Sequence, residues 1–274
     1  MSSRKTIAQE TLKIQQQGYY TINGVQINFD EKQKASEKDS FLITPEKGMQ
    51  LVQAFKPPLT GSMASISVVN QSVIQAILNM QNDNPTVLNF ASAKNPGGGF
   101  LGGAMAQEEA LAASSGLYNT LLLHKDYYDL NRACGTMMYT NHAIYSPQVV
   151  FFRDAKFTLL EYPVTASVLT LPAVNMGQVI LKGEDIQEAK HVMKERMRLC
   201  LTIFAHTNNK HLILGAYGCG VFRNNPHDVA QWWKELLLEE GYARFFTQII
   251  FAVMDTSKTK ANISAFEILE GCLT

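Results

Sequence analysis

Residues 89–109 hold the feature that most restricts how this chain can fold: five glycines within seven positions, shortly before a pair of acids, Glu108 and Glu109. The segment reads Asn-Phe-Ala-Ser-Ala-Lys-Asn-Pro-Gly-Gly-Gly-Phe-Leu-Gly-Gly-Ala-Met-Ala-Gln-Glu-Glu. Three consecutive glycines, Gly97 to Gly99, lose more backbone entropy on folding than other tripeptides. We therefore expect them where the main chain approaches another group closely.

The group predicted to lie against this loop is a ligand, and an anion such as phosphate suits it. Bare backbone N–H groups beside a helix N-terminus form a concave anion site. Residues 104–123 are rich in helix-forming residues, and Glu108 and Glu109 are placed in the first turn, where the helix dipole favours acids. The plainer alternative is a flexible glycine turn with two dipole-compensating acids. The length of the glycine run, close to the acids, favours a reaction site.

Other glycine-rich nucleotide sites fit this segment poorly. A P-loop ends in Gly-Lys-Ser or Gly-Lys-Thr, and no lysine lies between Lys94 and Lys125. The dinucleotide fingerprint of dehydrogenases fits no better. The loop is therefore expected to serve a chemistry in which the paired acids take part.

The composition is that of one enzyme-sized unit without an excess of either charge. The chain has 274 residues, 46% hydrophobic and 18% charged, and its 24 basic and 24 acidic side chains cancel. This length predicts one large domain, or one domain with a small appendage. Zero net charge argues against direct nucleic-acid binding, which needs many lysines and arginines against the phosphates. Backbone amides can hold an anionic ligand locally instead.

Neither a membrane anchor nor a metal site is indicated. Residues 1–17 are polar, and no run approaches the roughly 18 apolar residues that span a bilayer, so a cytoplasmic location is expected. The six histidines lack ligand spacing, and we expect neither a metal nor a cofactor. Without a Cys-x-x-Cys pair, the cysteines predict no zinc site and no disulfide framework. We expect three of them to be core residues: Cys134, Cys200 and Cys272.

Predicted strands and helices alternate along the chain, which is typical of an α/β sheet with helices on its faces. We predict that residues 1–60 form an extension and residues 61–274 the main domain. In the extension we predict a helix at 5–17, a strand at 25–29 and a solvated run at 30–40. In the main domain we predict strands at 87–91, 149–152, 167–171, 211–217 and 248–254, and helices at 72–80, 184–206, 262–271 and after a cap at Asn225.

A second glycine-rich loop begins as the strand predicted from residue 211 ends: Gly215-Ala-Tyr-Gly-Cys-Gly-Val-Phe-Arg-Asn-Asn-Pro. Ligands of open α/β sheets bind beyond the carboxyl ends of the strands, so two such loops can line one crevice. We expect them to hold the two ends of a pyrophosphate. Phe222 is predicted to stack on a sugar or base; alternatively, it is an ordinary apolar residue that anchors the next helix.

Together the two motifs resemble a known family. Gly97-Gly-Gly, with Gln107-Glu-Glu eight positions after the third glycine, is similar to the signature of poly(ADP-ribose) glycohydrolases. Gly218-Cys-Gly-Val-Phe resembles the diphosphate loop of macrodomains, although non-catalytic macrodomains carry a similar loop. The microbial type fits best, from the run Ile7-Ala-Gln-Glu-Thr-Leu to the last helix. The resemblance implies a three-layer α/β/α macrodomain-like fold with a mixed central sheet and a short N-terminal helical extension.

The resemblance also implies roles for individual residues. Glu109 would be the catalytic acid, and Glu108 would hydrogen-bond ribose hydroxyls near the scissile bond. Gln107 would position both, and Phe222 would order the distal ribose. The other substrate-binding positions that it implies are Asn95, Gly97, Gly98, Gly99, Gly102 and Gly103 around the pyrophosphate and distal ribose, and Gly218, Cys219, Gly220 and Val221 at the phosphates.

The implied activity is hydrolysis of the ribose–ribose bond of ADP-ribose polymers, mainly from the terminus, with free ADP-ribose as product. Such a bond breaks through an oxocarbenium-like state, and one carboxyl can protonate the leaving oxygen and then activate water. Adjacent helix residues point about 100° apart, so Glu108 and Glu109 are not expected to flank the bond as a glycosidase pair. Glu109 needs a raised pKa to arrive protonated.

Two other functions remain open at this point. A non-catalytic reader of ADP-ribose would keep both loops, but it has no use for Gln107-Glu-Glu at their mouth. A mono-ADP-ribosyl hydrolase acting on protein or nucleobase would use the same pocket and differ only beyond the scissile oxygen. The expected partners are accordingly an ADP-ribose polymer or an ADP-ribosylated protein.

Overall fold

The computed structural model, which describes residues 3–58 and 60–270, is built around a seven-stranded sheet. Its strands have the order β3-β6-β7-β5-β8-β9-β4, and β1 and β2 form a separate two-stranded sheet. The strands are β1 (Tyr19–Ile22), β2 (Val25–Asn28), β3 (Phe41–Ile43), β4 (Ser65–Val69), β5 (Thr86–Ala91), β6 (Ala143–Arg153), β7 (Leu159–Pro172), β8 (His211–Leu214) and β9 (Gln248–Ala252).

Helices connect most of these strands. They are α1 (Arg4–Gln17), α2 (Asp30–Asp39), α3 (Pro45–Ala54), α4 (Val73–Asn79), α5 (Gln107–Ser114), α6 (Leu117–Leu122), α7 (Lys125–Ala133), α8 (Met176–Lys182), α9 (Ile186–His206), α10 (Pro226–Lys234) and α11 (Ala261–Phe266). Short 3₁₀ turns lie at Phe100–Gly102, Tyr242–Phe245 and Glu267–Leu269, and a π-helical turn at Glu235–Glu239 continues α10.

The strand directions make the central sheet mixed and bring five strand ends to one edge. β5 pairs in parallel with β7 and β8, and β9 pairs in parallel with β8 and β4. β6 is antiparallel to both β7 and β3. The carboxyl ends of β7, β5, β8, β9 and β4 therefore meet at the edge where ligands of open α/β sheets bind.

Two buried apolar clusters lie on opposite faces of this sheet, because successive side chains of a strand alternate between faces. Leu88 belongs to the cluster that α9 and α10 cover, whereas its neighbour Val87 belongs to the cluster that α4 to α7 cover. Helices thus cover both faces in three layers, and this arrangement confirms the predicted α/β/α fold with a mixed sheet.

The first 60 residues contribute directly to the central sheet, since β3 pairs with β6 at its edge. Most of the run predicted to be solvated at 30–40 is exposed or partly exposed, but it forms α2, which buries Gln33 and Ser36. The Gln33 amide donates to the Gly116 carbonyl at 3.0 Å and accepts from the Val150 N–H at 3.3 Å. Polar side chains anchor this helix, and the domain boundary at residue 60 stays a prediction.

The single helix predicted at 104–123 is wrong, because α5 and α6 are separate. The chain leaves the helical path at Ser115, which forms a bridge to Phe151 of β6. The Gly116 N–H then donates to the Val150 carbonyl at 2.9 Å. Pairing with β6 thus replaces two helical positions and fixes α5 against the sheet.

Several predicted boundaries shift by a few residues. Strands predicted at 211–217 and 248–254 end at Leu214 and Ala252, and the predicted helix at 262–271 is the short α11 followed by a 3₁₀ turn. The Asn225 cap is confirmed, because its side chain accepts from the His227 N–H at 2.9 Å.

Of the three cysteines expected in the core, Cys200 is buried. Cys134 is only partly buried, because it lies at the end of α7. Cys272 and Gly271 lie outside the described residues. Within 3–58 and 60–270, no helix has the length and apolar character needed to cross a bilayer.

Candidate active site

A cavity of about 460 Å³ lies at the carboxyl ends of the strands and contains the paired acids. Its lining comes from residues 71–74, 90–92, 105–110, 155, 157, 173, 216, 218–222, 252–254 and 262. Both glycine-rich loops border it, as expected of loops that follow neighbouring strands. In the described part of the chain, no cluster of three or more His, Cys, Asp or Glu side chains could hold a metal ion.

Glu109 lies in the first turn of α5, beside the first glycine loop. Its Oε1 accepts a hydrogen bond from the Gly99 N–H at 2.9 Å, and its Oε2 accepts one from the Ala106 N–H at 3.0 Å. The second bond satisfies a helix-start N–H that has no partner inside the helix. Glu109 is partly exposed and lines the cavity.

Glu108 is the buried member of the pair, with 3% of its surface exposed. Its Oε2 accepts from the Ser92 N–H at 2.6 Å, and the Asn89 Nδ2 donates to its Oε1 at 3.4 Å. Burial raises the pKa of Glu108 to about 8; these hydrogen bonds oppose the rise, and the charge of Glu109 adds to it. The Glu108 carboxyl is therefore mostly protonated near neutral pH.

Gln107 fastens the helix that carries both acids to the central sheet. Its Oε1 accepts from the Phe90 N–H at 2.9 Å, and its Nε2 donates to the Leu88 carbonyl at 2.8 Å. β5 pairs with β8 only at Thr86 and Val87. The later main-chain groups of β5, at Leu88 and Phe90, bond to the Gln107 amide instead. It thereby fixes where α5 begins.

The glycines of the first loop are packed against the acids. Gly98 has φ +60°, and a Cβ there would collide with Glu109 Oε1 and lie 3.1 Å from Glu108 Oε2. Gly97 has φ +65°, and its Cβ would lie 2.9 Å from the ring of Phe100. The close approach expected of this loop is therefore made to the two carboxyl groups.

This packing places several implied contacts beside the cavity rather than in its lining. Such positions on the first loop are Asn95, Gly97, Gly98, Gly99, Gly102 and Gly103. A role for them in substrate binding stays a prediction. Among them, Gly98 and Gly99 let the main chain approach the acids closely.

The second loop presents its main chain to the cavity. Gly218 has φ +73°, and a Cβ there would lie 2.6 Å from the Asn224 Nδ2. That amide holds the loop together by donating to the Gly218 carbonyl at 3.0 Å and the Val174 carbonyl at 2.8 Å. Gly220, in contrast, has open space where a Cβ would be. One glycine of this loop is thus sterically required and the other is not.

The remaining positions of the second loop differ in their surroundings. Burial raises the pKa of the Cys219 thiol to about 12, so the thiol is neutral near pH 7. Val221 is 81% exposed. Phe222 lines the cavity and also packs against the core. Stacking of this ring on a sugar or base stays a prediction.

Sequence reasoning missed the far end of the cavity. Residues 71–74 follow β4 there, and Met254 follows β9. Asn262 reaches the same end from α11. The one available signal was the polar Asn70-Gln-Ser directly after a short Val-containing run.

A family comparison covers the part of the chain that carries the acids. Residues 8–154, more than half of the 274, match the family model described as "Microbial-type PARG, catalytic domain". The chain belongs to the family of microbial-type poly(ADP-ribose) glycohydrolases. The matched range includes the first glycine loop and α5, and it ends before the second glycine loop.

Solved poly(ADP-ribose) glycohydrolases resemble almost the whole chain. The enzyme from Thermomonospora curvata is 36% identical with a TM-score of 0.92, covering 97% of this chain and 98% of that one. Its structure bound to the inhibitor ADP-HPD matches at 35% identity and a TM-score of 0.90, with the same coverage. The Deinococcus radiodurans enzyme in complex with ADP-ribose is 38% identical with a TM-score of 0.82, covering 92% and 100%. No curated protein sequence matches significantly.

Proposed function

We propose that this protein hydrolyses the ribose–ribose bond of poly(ADP-ribose), mainly from the polymer terminus, and releases ADP-ribose. The observation that carries the proposal is the pair of adjacent carboxyl groups at the start of α5, inside a cavity bordered by two glycine-rich loops. Membership of the glycohydrolase family supports it. The ADP-ribose complex of the relative from Deinococcus radiodurans supports ADP-ribose as the ligand.

The order of the strands around the cavity suggests how the parts of ADP-ribose are arranged in it. The cavity runs along the carboxyl ends of the strands. It extends from β7 and β5, near Glu108, to β9 and β4, near Met254. We place the distal ribose at the acids and the diphosphate along the main chain of residues 218–221, because backbone N–H groups suit phosphate. The adenosine then lies at the far end, where Val73 and Met254 supply apolar surface and Gln71 an amide.

The two acids divide the chemistry between them. Glu109 donates a proton to the oxygen that bridges the two riboses while the bond from that oxygen to the ribose C1″ breaks. The Glu109 carboxylate then accepts a proton from the water that adds to C1″. Glu108, held neutral by burial, donates a hydrogen bond to a hydroxyl of the same ribose. The products are ADP-ribose and a polymer shortened by one unit.

Some expectations from the sequence remain proposals. They are the cytoplasmic location, the absence of direct nucleic-acid contact, the division at residue 60 and the polymer or an ADP-ribosylated protein as partner. The proposed pocket holds one ADP-ribosyl group, which a mono-ADP-ribosylated protein also carries. Such a protein is therefore the competing substrate.

Product analysis tests the proposal. Poly(ADP-ribosyl)ated protein is incubated with wild type and with Glu109→Ala, and polymer loss and free ADP-ribose are read together. We expect wild type alone to shorten the polymer and release ADP-ribose, leaving the last protein-linked unit in place. Release only from a mono-ADP-ribosylated protein would instead identify the competing activity. Binding of ADP-ribose without any release would identify a reader.

A further inference from the structure

Tyr139 stands in a backbone conformation that an aromatic residue rarely adopts. Its φ is +59°, in the left-handed region, and it lies in the connection between α7 and β6. Such a conformation costs energy and persists only where the surroundings hold it, often at functional sites. The neighbours of Tyr139 show what holds it.

A buried guanidinium group fixes this connection. Arg196 of α9 is completely buried, and its three hydrogen bonds run to the Asn141 Oδ1 at 2.9 Å, the Pro172 carbonyl at 2.9 Å and the Tyr139 carbonyl at 3.3 Å. Burying a charged group is expensive unless such bonds satisfy it. Arg196 thus ties Tyr139 to the carboxyl end of β7, one residue before the cavity lining at Ala173.

The ring of Tyr139 lies at the rim of the cavity, between the two glycine-rich loops. Its centroid is 6.1 Å from that of Phe222, which lines the cavity. The Lys94 Nζ of the first loop stands 6.0 Å from the same ring centroid. Lys94 is only two residues from Ser92, whose N–H holds Glu108. The ring thus neighbours one residue of each loop and is tied to the carboxyl end of β7, not to that of β9 or β4.

The Lys94 ammonium group lies over this ring, while the Glu184 carboxylate accepts from the Met137 N–H two residues earlier in the same connection. Among residues 3–58 and 60–270, no carboxylate forms an ion pair with Lys94 or with Arg223, which follows Phe222. A lysine without an ion pair over an aromatic face suits a nucleotide, because a base stacks on the ring and a phosphate attracts the ammonium group.

We propose that Tyr139 and Lys94 form a second nucleotide subsite, which binds the ADP-ribosyl unit on the leaving side of the scissile bond. This inference rests on the proposed function. The leaving oxygen belongs to the adenosine ribose of the neighbouring unit, so the adenine of that unit is one sugar away from Glu109. Its base stacks on Tyr139, and Lys94 and Arg223 lie close to its diphosphate. The subsite makes the protein prefer a polymer over an ADP-ribosyl group with another leaving group.

Two substrates that share the ADP-ribosyl group separate this subsite from the reaction centre. One is poly(ADP-ribose), and the other is ADP-ribose that carries a nitrophenyl group on its scissile oxygen and has no second nucleotide. For Tyr139→Ala we expect kcat/KM on polymer to fall roughly 10-fold, as loss of one base–aromatic stack implies, with the nitrophenyl substrate within about 2-fold of wild type. Tyr139→Phe keeps the stacking face and should behave like wild type on both substrates.

Controls keep the result interpretable. Tyr162→Ala removes a tyrosine that is 81% exposed near the start of β7 and does not line the cavity, so it should change neither substrate. Lys94→Gln should weaken polymer hydrolysis and reduce its dependence on salt. An equal fall of Tyr139→Ala on both substrates, or no fall on polymer, would overturn the subsite. Wild type inactive on both substrates would overturn the proposed function itself.

Discussion

The first glycine-rich loop packs against side chains, whereas the second presents its main chain to the cavity. In the first loop, a Cβ at Gly98 would overlap the Glu109 carboxyl group. In the second, Gly220 has open space around it and residues 218–222 all line the cavity. Two segments that look alike in composition therefore differ in what their glycines are for: one shapes the catalytic groups and the other the ligand surface.

Adding one methyl group to each loop tests this difference most directly. Gly98→Ala should displace Glu109 and lower kcat on polymer by about 100-fold, because small misplacements of a catalytic group cost this much. Gly220→Ala, in the second loop, should leave kcat within about 3-fold of wild type, since no protein atom lies within 4 Å of its Cβ. Steady-state kinetics of both variants measures the comparison. Similar losses in the two would show that the loops do not differ in this way.

The protonation state of Glu108, which lies against the first loop, can be tested through the pH dependence of stability. The folded protein raises the pKa of this group from 4.5 to about 8. Between pH 4.5 and about pH 8, the folded protein therefore binds one more proton than the unfolded chain. The stabilisation that comes from protonated Glu108 is complete below pH 4.5 and is lost as the pH rises through about 8. From about pH 5 to about pH 8, the free energy of unfolding of wild type should fall relative to Glu108→Gln, by on the order of a few kcal/mol.

Denaturant unfolding of both proteins across that pH range measures this difference. Parallel curves for wild type and Glu108→Gln would mean that Glu108 is ionised in the folded protein at neutral pH. The neutral hydrogen-bond donor assigned to it would then be wrong.

Gly218 is the position where the second loop is expected to be sensitive. Its φ of +73° and a Cβ contact of 2.6 Å to the Asn224 amide disfavour any side chain. Gly218→Ala should lower the free energy of unfolding by about 1–3 kcal/mol and weaken ADP-ribose binding. Thermal unfolding and calorimetry measure both effects. If Gly218→Ala behaves like Gly220→Ala, the Asn224 contact does not constrain the loop.

The parts of the fold that could be predicted from sequence depend on local physics. The buried run at 87–91 and the Asn225 cap are set by residues a few positions apart, and both are confirmed. β3 was missed because it has only three residues, of which Phe41 is 43% exposed. α2 was missed because Gln33 anchors its buried face with hydrogen bonds, which leave no apolar periodicity in the sequence.

The candidate site shows the same division. The acids and glycines could be found from their spacing, but the different environments of Glu108 and Glu109 could not. The buried Glu108 accepts from Asn89, which also donates to Thr170 of the neighbouring strand at 3.1 Å. These residues are far apart in the chain and meet only in the folded sheet. Met254, at the far end of the cavity, was not predicted as a site residue, because its neighbours there are also distant in the chain.

The division of labour between the two acids is tested most directly by single-turnover release of ADP-ribose from a defined polymer, with calorimetric binding of ADP-ribose in parallel. Glu109→Gln cannot transfer a proton, so we expect release to slow by about 1,000-fold while binding stays close to that of wild type. Glu108→Gln keeps a neutral donor and should lose less than about 10-fold. Wild-type release by Glu109→Gln, or an equal loss in both variants, would contradict the assignment.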